Sequence, residues 1–135
     1  MNQTNKDVAW TFISALGASD IETVKRLMTP DVHATLMGTS VLSGDRGYDD
    51  IVAIGELFPK ITKDGIRFDL VSATAEDDRV SMELQGHCEL VDGRTYDNQY
   101  HWLFHIRDGR VCRIKEYLDT KLLDELLAPL FAGGG

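Results

Sequence analysis

The sequence is short of positive charge and of long apolar runs, and each shortage excludes a class of partner. The 135 residues include 14 Lys or Arg against 22 Asp or Glu, which gives a net charge of −8. An acidic chain without a basic cluster suits neither the phosphates of a nucleic acid nor an anionic membrane surface. No apolar run approaches the ~20 residues of a transmembrane helix. We therefore expect no nucleic-acid partner and no membrane partner.

Cysteines and cofactor motifs are also scarce. The two cysteines, Cys88 and Cys112, are too few for a disulfide framework, and the polar N-terminus shows no signal-peptide pattern, so we expect a cytoplasmic protein. His101 and His105 form the only close histidine pair, but four strand residues separate them by roughly 13 Å, too far for one metal ion. The stretch "MGTSVLSG" fits neither nucleotide-binding glycine motif. We expect no metal and no cofactor.

The patterns that are present indicate helices first and strands later. Helical spacing of apolar residues predicts a helix over about residues 6–16 capped by Asn5, a short helix after an Asp20 cap, and a helix over 48–61 whose regular part Pro59 ends. "DVHATLM" is typical of a short strand, and "GTSVLSGDRG" of a loop. Beyond Gly65 the period changes to two, and Asp-Gly pairs mark turns. This part predicts strands over about residues 66–75, 79–91, 94–107 and 111–119, the last three an antiparallel meander.

This order predicts an α+β fold in one domain, with N-terminal helices covering one face of a curved antiparallel sheet. The domain would span residues 1–135, with a core over about 7–120, a Leu-rich C-terminal segment over 121–131 and a disordered Gly tail over 132–135. A sheet bent around helices encloses a conical space. Whether side chains fill that space decides between a scaffold and a binding site.

Two stretches, "LSG…YDDI" and above all "GRTYDNQYHWLFHIRDGRVCRIKEYLDT", resemble the SnoaL-like, ketosteroid-isomerase-related branch of the nuclear transport factor 2-like superfamily. That superfamily includes ketosteroid isomerases, SnoaL-type polyketide cyclases, scytalone dehydratase and limonene epoxide hydrolase. The resemblance implies a cone-shaped, cystatin-like α+β barrel with a deep pocket, often in a homodimer. It does not choose a reaction, because one fold carries many functions.

The catalytic residues of these relatives carry over only in part. The ketosteroid isomerase tyrosine and two aspartates align with Phe12, Leu36 and Trp102, so that mechanism is excluded. One aspartate of limonene epoxide hydrolase aligns with Glu116, but its arginine and second aspartate fall near Glu83 and Gln85. SnoaL-type cyclases rely on one acidic residue that acts as both acid and base, and Glu116 meets this requirement.

Strand alternation predicts which side chains enter the cone. If Trp102 points inward, so do Tyr96, Asn98, Tyr100 and Phe104, and on the next strand Cys112, Ile114, Glu116 and Leu118. On the preceding strand the two guides conflict. Hydrophobicity turns Met82 and Leu84 inward, whereas the family alignment turns Gln85 and His87 inward. We follow the alignment, and assign the apolar face to a homodimer interface formed by Val80, Met82, Leu84, His101, Leu103 and His105.

The resulting hypothesis is a cofactor-free isomerase, cyclase, dehydratase or hydrolase that acts on a small, largely apolar, oxygenated molecule. Glu116 would transfer a proton because burial raises a carboxyl pKa, while His87 and Tyr96 would polarise the substrate oxygen. The residues predicted to bind substrate are Phe12, Leu36, Gln85, Asn98, Tyr100, Trp102, Phe104 and Ile114. Three alternatives stay open: Glu116 paired with Arg113, Lys115 or another basic residue at the mouth of the cone, His87 as a core imidazole bonded to Tyr96 or Asn98, and a filled cone. They correspond to a non-catalytic small-molecule-binding domain or a dimeric scaffold.

Overall fold

The computed structural model describes the backbone of residues 4–134 and the side chains of residues 4–131. Five helices, one π-helical turn and six strands follow one another in these residues. They are α1 (Asn5–Gly17), α2 (Ile21–Arg26), β1 (Met28–Leu36), β2 (Gly44–Arg46), α3 (Tyr48–Ile61), β3 (Arg67–Glu76), β4 (Arg79–His87), β5 (Gln99–Arg107), β6 (Arg110–Leu118), α4 (Thr120–Leu122), a π-helical turn (Leu123–Leu127) and α5 (Ala128–Gly134). The end of the predicted Gly tail, Gly135, lies outside the described residues. The predicted α+β architecture is confirmed.

Local hydrogen bonds explain where the N-terminal helices begin. Thr4, not the predicted Asn5, caps α1: its hydroxyl accepts from the Asp7 N–H at 3.1 Å, and its own N–H donates to the Asp7 carboxylate at 3.4 Å. These two reciprocal hydrogen bonds satisfy the backbone N–H groups of Thr4 and Asp7 at the start of the helix. Asp20 caps α2 as predicted, accepting from the Thr23 N–H at 3.3 Å.

Helix α3 continues through Pro59 to Ile61, beyond the predicted end of its regular part. A proline in the last turn removes a single N–H. The Thr62 N–H still bonds the Phe58 carbonyl at 2.9 Å, so the turn closes normally. The third helix thus keeps its full length along the sheet.

The six strands form one sheet in the order β2-β1-β6-β5-β4-β3. Strands β4 to β6 are the antiparallel meander that the sequence predicts, although β4 and β5 are shorter than expected, and β3 extends it by one strand. Between them the chain leaves the sheet around the Asp92-Gly93 turn, held by isolated bridges such as Glu89 with Thr95. Strand β1 pairs in parallel with β6, and β2, which was predicted as loop, pairs with β1.

The predicted orientation of β4 is wrong. Met82 lies opposite Trp102 and Leu84 opposite Tyr100, and directly opposed residues share a face of the sheet. Val80, Met82 and Leu84 are therefore inside the protomer's own core, with exposures of 0%, 0% and 2%. The hydrophobic pattern predicted the correct face of β4. The family alignment did not, since an alignment error of one residue turns every side chain of a strand to the opposite face of the sheet. These three residues are not available for the homodimer interface that was assigned to them.

Aromatic rings run along the interior of the cone. Phe12 of α1 meets Phe104 edge-on, with centroids 6.3 Å apart, and the two side chains have no exposed surface. From Phe104 the contacts continue to Trp102 at 5.8 Å and to Tyr100 at 6.4 Å. The Phe12 end of this row is closely packed. The Tyr100 end borders an internal cavity.

Candidate functional site

A cavity of about 110 Å³ lies between the concave face of the sheet, α1, α3 and the C-terminal helices. Six residues predicted to contact substrate line it: Leu36, Tyr96, Tyr100, Trp102, Ile114 and Glu116. Its wall is mostly apolar. Glu116 and Arg46 are the charged side chains among the described residues that line it.

The remaining predicted residues do not line this cavity. Phe12 and Phe104 are packed against each other in the closed end of the cone. Gln85 lies on the outer face of β4, where its amide donates to the backbone carbonyls of Gly86 and Asn98 at 3.1 and 3.3 Å. The prediction that Gln85 faces substrate is wrong, for the same reason of strand orientation.

His87 also lies on the outer face, so the prediction that it faces the pocket is wrong. Its Nε2 is 2.8 Å from the Asp69 carboxylate of β3, and its Nδ1 is 3.8 Å from the Asp97 carboxylate. The ring is partly exposed and is held by these acids outside the cone. It is not the core imidazole of the open alternative either. Glu116 therefore has no histidine beside it.

Glu116 lies at the centre of the sheet, opposite Trp102 of β5 on one side and Leu36 of β1 on the other. No hydrogen bond or ion pair from a described residue reaches its carboxyl. The predicted alternative partners are elsewhere: Arg113 lies 3.5 Å from the His33 ring on the outer face. Burial raises the pKa of Glu116 to about 7, and attraction by Arg46 only partly offsets that effect. Near neutral pH the carboxyl is thus present in both protonation states.

Arg46 is the site residue that the sequence analysis missed. It lies on β2, paired with Ala34 of β1, and its Nη2 donates to the Leu42 carbonyl at 2.7 Å. That bond anchors one edge of the guanidinium of a residue that also lines the cavity. The three-residue strand stands within a Gly- and Ser-rich stretch, so no alternation could reveal it. The only signal was an isolated cation in "SGDRG".

Asn98 supports the site without lining it. Its Nδ2 donates to the Tyr96 hydroxyl at 2.8 Å and to the Asp119 carbonyl at 3.1 Å. Its Oδ1 accepts from the N–H groups of Gln99 and Asp119 at 2.7 and 3.2 Å. The amide is fully used, and it fixes the Tyr96 ring and the end of β6 together. We predicted a substrate contact, whereas the structure shows a bracing role.

The two tyrosines are neutral hydrogen-bonding groups. Burial raises the pKa of Tyr96 to about 12 and raises the pKa of Tyr100 still more clearly, with the nearby Glu116 charge acting in the same direction on both. Neither hydroxyl would lose its proton near neutral pH. Gly86 fits closely against this wall, because a Cβ there would stand 2.8 Å from the Tyr100 ring.

The C-terminal helices cover the open side of the cavity through Leu123, Leu127 and Phe131. Hydrogen bonds to Asp124 attach this segment to the loop between β1 and β2. The Asp124 carboxylate accepts from the Ser40 hydroxyl at 2.6 Å and from the Val41 N–H at 3.2 Å. The Leu-rich segment therefore serves as a cover over the site.

Within the described part of the chain, no group of three or more His, Cys, Asp or Glu side chains is arranged to hold a metal ion. None of its helices combines the length and apolarity of a membrane span.

The comparisons with known proteins identify the family. The model of the SnoaL-like domain matches residues 10–114. This chain belongs to the SnoaL-like family. The SnoaL-like protein matches none of the curated sequences. The predicted membership of the nuclear transport factor 2-like superfamily is confirmed.

Solved structures show the same fold at low sequence identity. PrhC from Penicillium brasilianum is 17% identical with a TM-score of 0.82, over 96% of this chain and 89% of PrhC. An NTF2-like protein from Burkholderia pseudomallei is 18% identical with a TM-score of 0.78, over 94% of this chain and 99% of its own. TerC, co-crystallised with polyporic acid, is 24% identical with a TM-score of 0.74, over 90% and 96%. These likenesses establish the fold.

Proposed function

We propose that this SnoaL-like protein processes a small, largely apolar, oxygenated molecule in the cone cavity, with Glu116 as the group that transfers a proton. The observation that carries the proposal is a partly buried carboxyl in an apolar cavity, without a hydrogen-bond or ion-pair partner among the described residues. Its pKa of about 7 suits both giving and taking a proton near neutral pH. The TerC complex with polyporic acid supports a small organic ligand for this interior.

The roles follow from the lining. Glu116 would take a proton from a carbon or oxygen atom of the ligand and return it at another position. The hydroxyls of Tyr96 and Tyr100 would donate hydrogen bonds to the ligand oxygen, while Leu36, Trp102 and Ile114 would hold its apolar body. Isomerisation, cyclisation and dehydration each need such a transfer; in a hydrolysis Glu116 would instead take the proton from the attacking water and give it to the leaving oxygen.

A ligand-binding domain without turnover is the second candidate function. Two observations favour it: His87 lies outside the cone, and both tyrosine pKa values are too high for proton exchange, so Glu116 acts alone. The cavity of about 110 Å³ is also below the ~300 Å³ of ordinary ligand pockets, while an engineered cavity of about 150 Å³ holds benzene. A ligand of about one ring is therefore the largest that the closed cavity suits.

The test is hydrogen–deuterium exchange of small cyclic ketones in D2O, followed by NMR, because exchange next to a carbonyl needs a base but no complete reaction. We expect the parent protein to accelerate exchange and Glu116→Gln to lose about 100-fold or more of that rate. Glu56→Gln, on the exposed side of α3, is the matched control and should retain it. Equal rates for Glu116→Gln and the parent would remove Glu116 from the mechanism. Binding without exchange in the parent would support the second candidate.

We further propose that the protein is a cytoplasmic homodimer. Both cysteines are free thiols, which suits a reducing compartment. On the outer face, Glu83 of β4 and Lys115 of β6 flank His101 and Leu103 of β5, so a twofold pairing would bring opposite charges together. Light scattering should give twice the monomer mass, and Leu103→Glu should halve it. A monomeric parent protein would contradict the dimer.

A further inference from the structure

The charged groups of the cavity are opposite in sign but do not neutralise each other. Arg46 is the only basic side chain, and Glu116 the only acidic one, among described residues in the lining. They interact electrostatically, yet they form no ion pair. In an apolar cavity, two side chains of opposite charge normally form an ion pair, because isolated charges are costly to bury.

The sheet explains the separation. Arg46 faces Ala34, and Glu116 faces Leu36, so the two residues lie two strands and two positions apart. With ~4.8 Å between strands and ~3.3 Å per residue, their backbones are roughly 12 Å apart. The Leu42 carbonyl also restrains the guanidinium at 2.7 Å from Nη2. The two residues therefore line the same cavity from separate strands without forming an ion pair.

A second polar atom in the wall is unsatisfied. Trp102 is 5% exposed, and its Nε1 has no hydrogen-bond partner among the described residues. A buried indole N–H usually has an acceptor. The other two buried side-chain atoms in this condition, on Ser14 and Thr29, belong to residues outside the cavity lining. The Trp102 Nε1 has almost no accessible surface, so it does not face the cavity, and Arg46 is the only cation among the described residues of the lining.

We infer that Arg46 binds an anionic oxygen of the ligand, so that the preferred ligands are small organic acids of about one ring rather than neutral oxygenated molecules. This inference rests on the proposed function, since it concerns the same cavity. A carboxylate or acidic enol would accept hydrogen bonds from the Arg46 guanidinium, whose planar fork of N–H donors suits such an anion. The ring would occupy the apolar wall. Protonated Glu116 would face the anion without repelling it.

The experiment compares benzoate with acetophenone, a neutral molecule of nearly the same shape, by titration calorimetry. The proteins are the parent, Arg46→Met, Arg46→Lys and the control Arg26→Met, which changes an exposed cation of α2. We expect the parent to prefer benzoate by about tenfold to a hundredfold, the gain of a charge-assisted hydrogen bond. Arg46→Met should abolish the preference by weakening benzoate binding far more than acetophenone binding. Arg46→Lys should keep part of the preference, and Arg26→Met all of it.

The possible outcomes distinguish a failure of the Arg46 anion site from a failure of the small-molecule function. Equal binding of both ligands to the parent, unaltered in Arg46→Met, would overturn the anion site and leave the small-molecule function intact. An unchanged benzoate preference in Arg46→Met would likewise overturn the role of Arg46. Binding of neither ligand to the folded parent would count against the inference and the proposed function together.

Discussion

The two ends of the cone interior are built from similar side chains and have opposite properties. At one end Phe12 of α1 fills the space against Phe104, and the neighbouring Val80 has no exposed surface. At the other end Tyr100 and Trp102, from the same strand β5, border a cavity. The aromatic composition of a strand therefore does not decide whether its side chains pack in the core or line a binding site. What decides is whether the facing helix supplies a side chain long enough to reach it.

The largest expected effect comes from emptying the packed end. Phe104→Ala should lower the free energy of unfolding by about 3–5 kcal/mol, because it removes a fully buried ring and leaves a void. Ile54→Ala, at the cavity wall, is the comparison and should cost less than half as much, since that side chain already borders space. Urea unfolding measures both. Equal losses would mean that the two ends are packed alike.

The next effect is the pH dependence that Glu116 imposes on stability. Its pKa rises from 4.5 in the unfolded chain to about 7 in the fold, so the folded state binds the extra proton between these values. The contribution is complete below about pH 4.5 and is lost as the pH rises through 7, by about 3 kcal/mol in all. Relative to Glu116→Gln, the parent should become less stable over this range. Parallel stability curves from urea unfolding at pH 5 to 8 would show a well-solvated carboxyl.

A smaller effect would come from filling the cavity wall at Gly86. A Cβ there would stand 2.8 Å from the Tyr100 ring and 3.2 Å from the Asn98 carbonyl oxygen. Because the backbone oxygen cannot yield, Gly86→Ala should shift the ring into the cavity and cost about 1–3 kcal/mol. Benzoate or acetophenone should then bind more weakly in calorimetry. Gln85→Ala, whose side chain lies on the outer face, should leave ligand binding unchanged; a similar loss there would implicate the strand as a whole.

The smallest effect concerns the cover over the cavity. Asp124→Ala removes the acceptor for the Ser40 hydroxyl and the Val41 N–H, which should cost about 1 kcal/mol. Ligand association and dissociation, followed by stopped-flow tryptophan fluorescence, should both become faster. Glu125→Ala, on the exposed neighbouring residue, is the control. Unchanged rates in Asp124→Ala would show that ligands enter by another route.

Sequence reasoning succeeded where a local pattern had one structural meaning. Asp-Gly turns and a period of two predicted the meander, and a lone acid in an apolar row singled out Glu116, which lines the cavity. It failed at β4, where we followed the family alignment instead of the hydrophobic pattern and placed His87 on the wrong face of the sheet. It also missed Arg46, because three residues are too few to show alternation. The cavity itself depends on the distance between α1 and the sheet, which no single segment encodes.

The parallel pairing of β1 with β6 also sets an order of assembly. It joins Leu36 to Glu116, roughly 80 residues later in the chain, whereas the strands of the meander are joined by much shorter connections. Closing the long loop costs more chain entropy, so we expect the meander to form first and β1 to dock afterwards. Brief openings that release β1 would wet Glu116 and Arg46 while the meander stays intact. The wall that holds Glu116 and Arg46 would thus be the last part to form and the first to open.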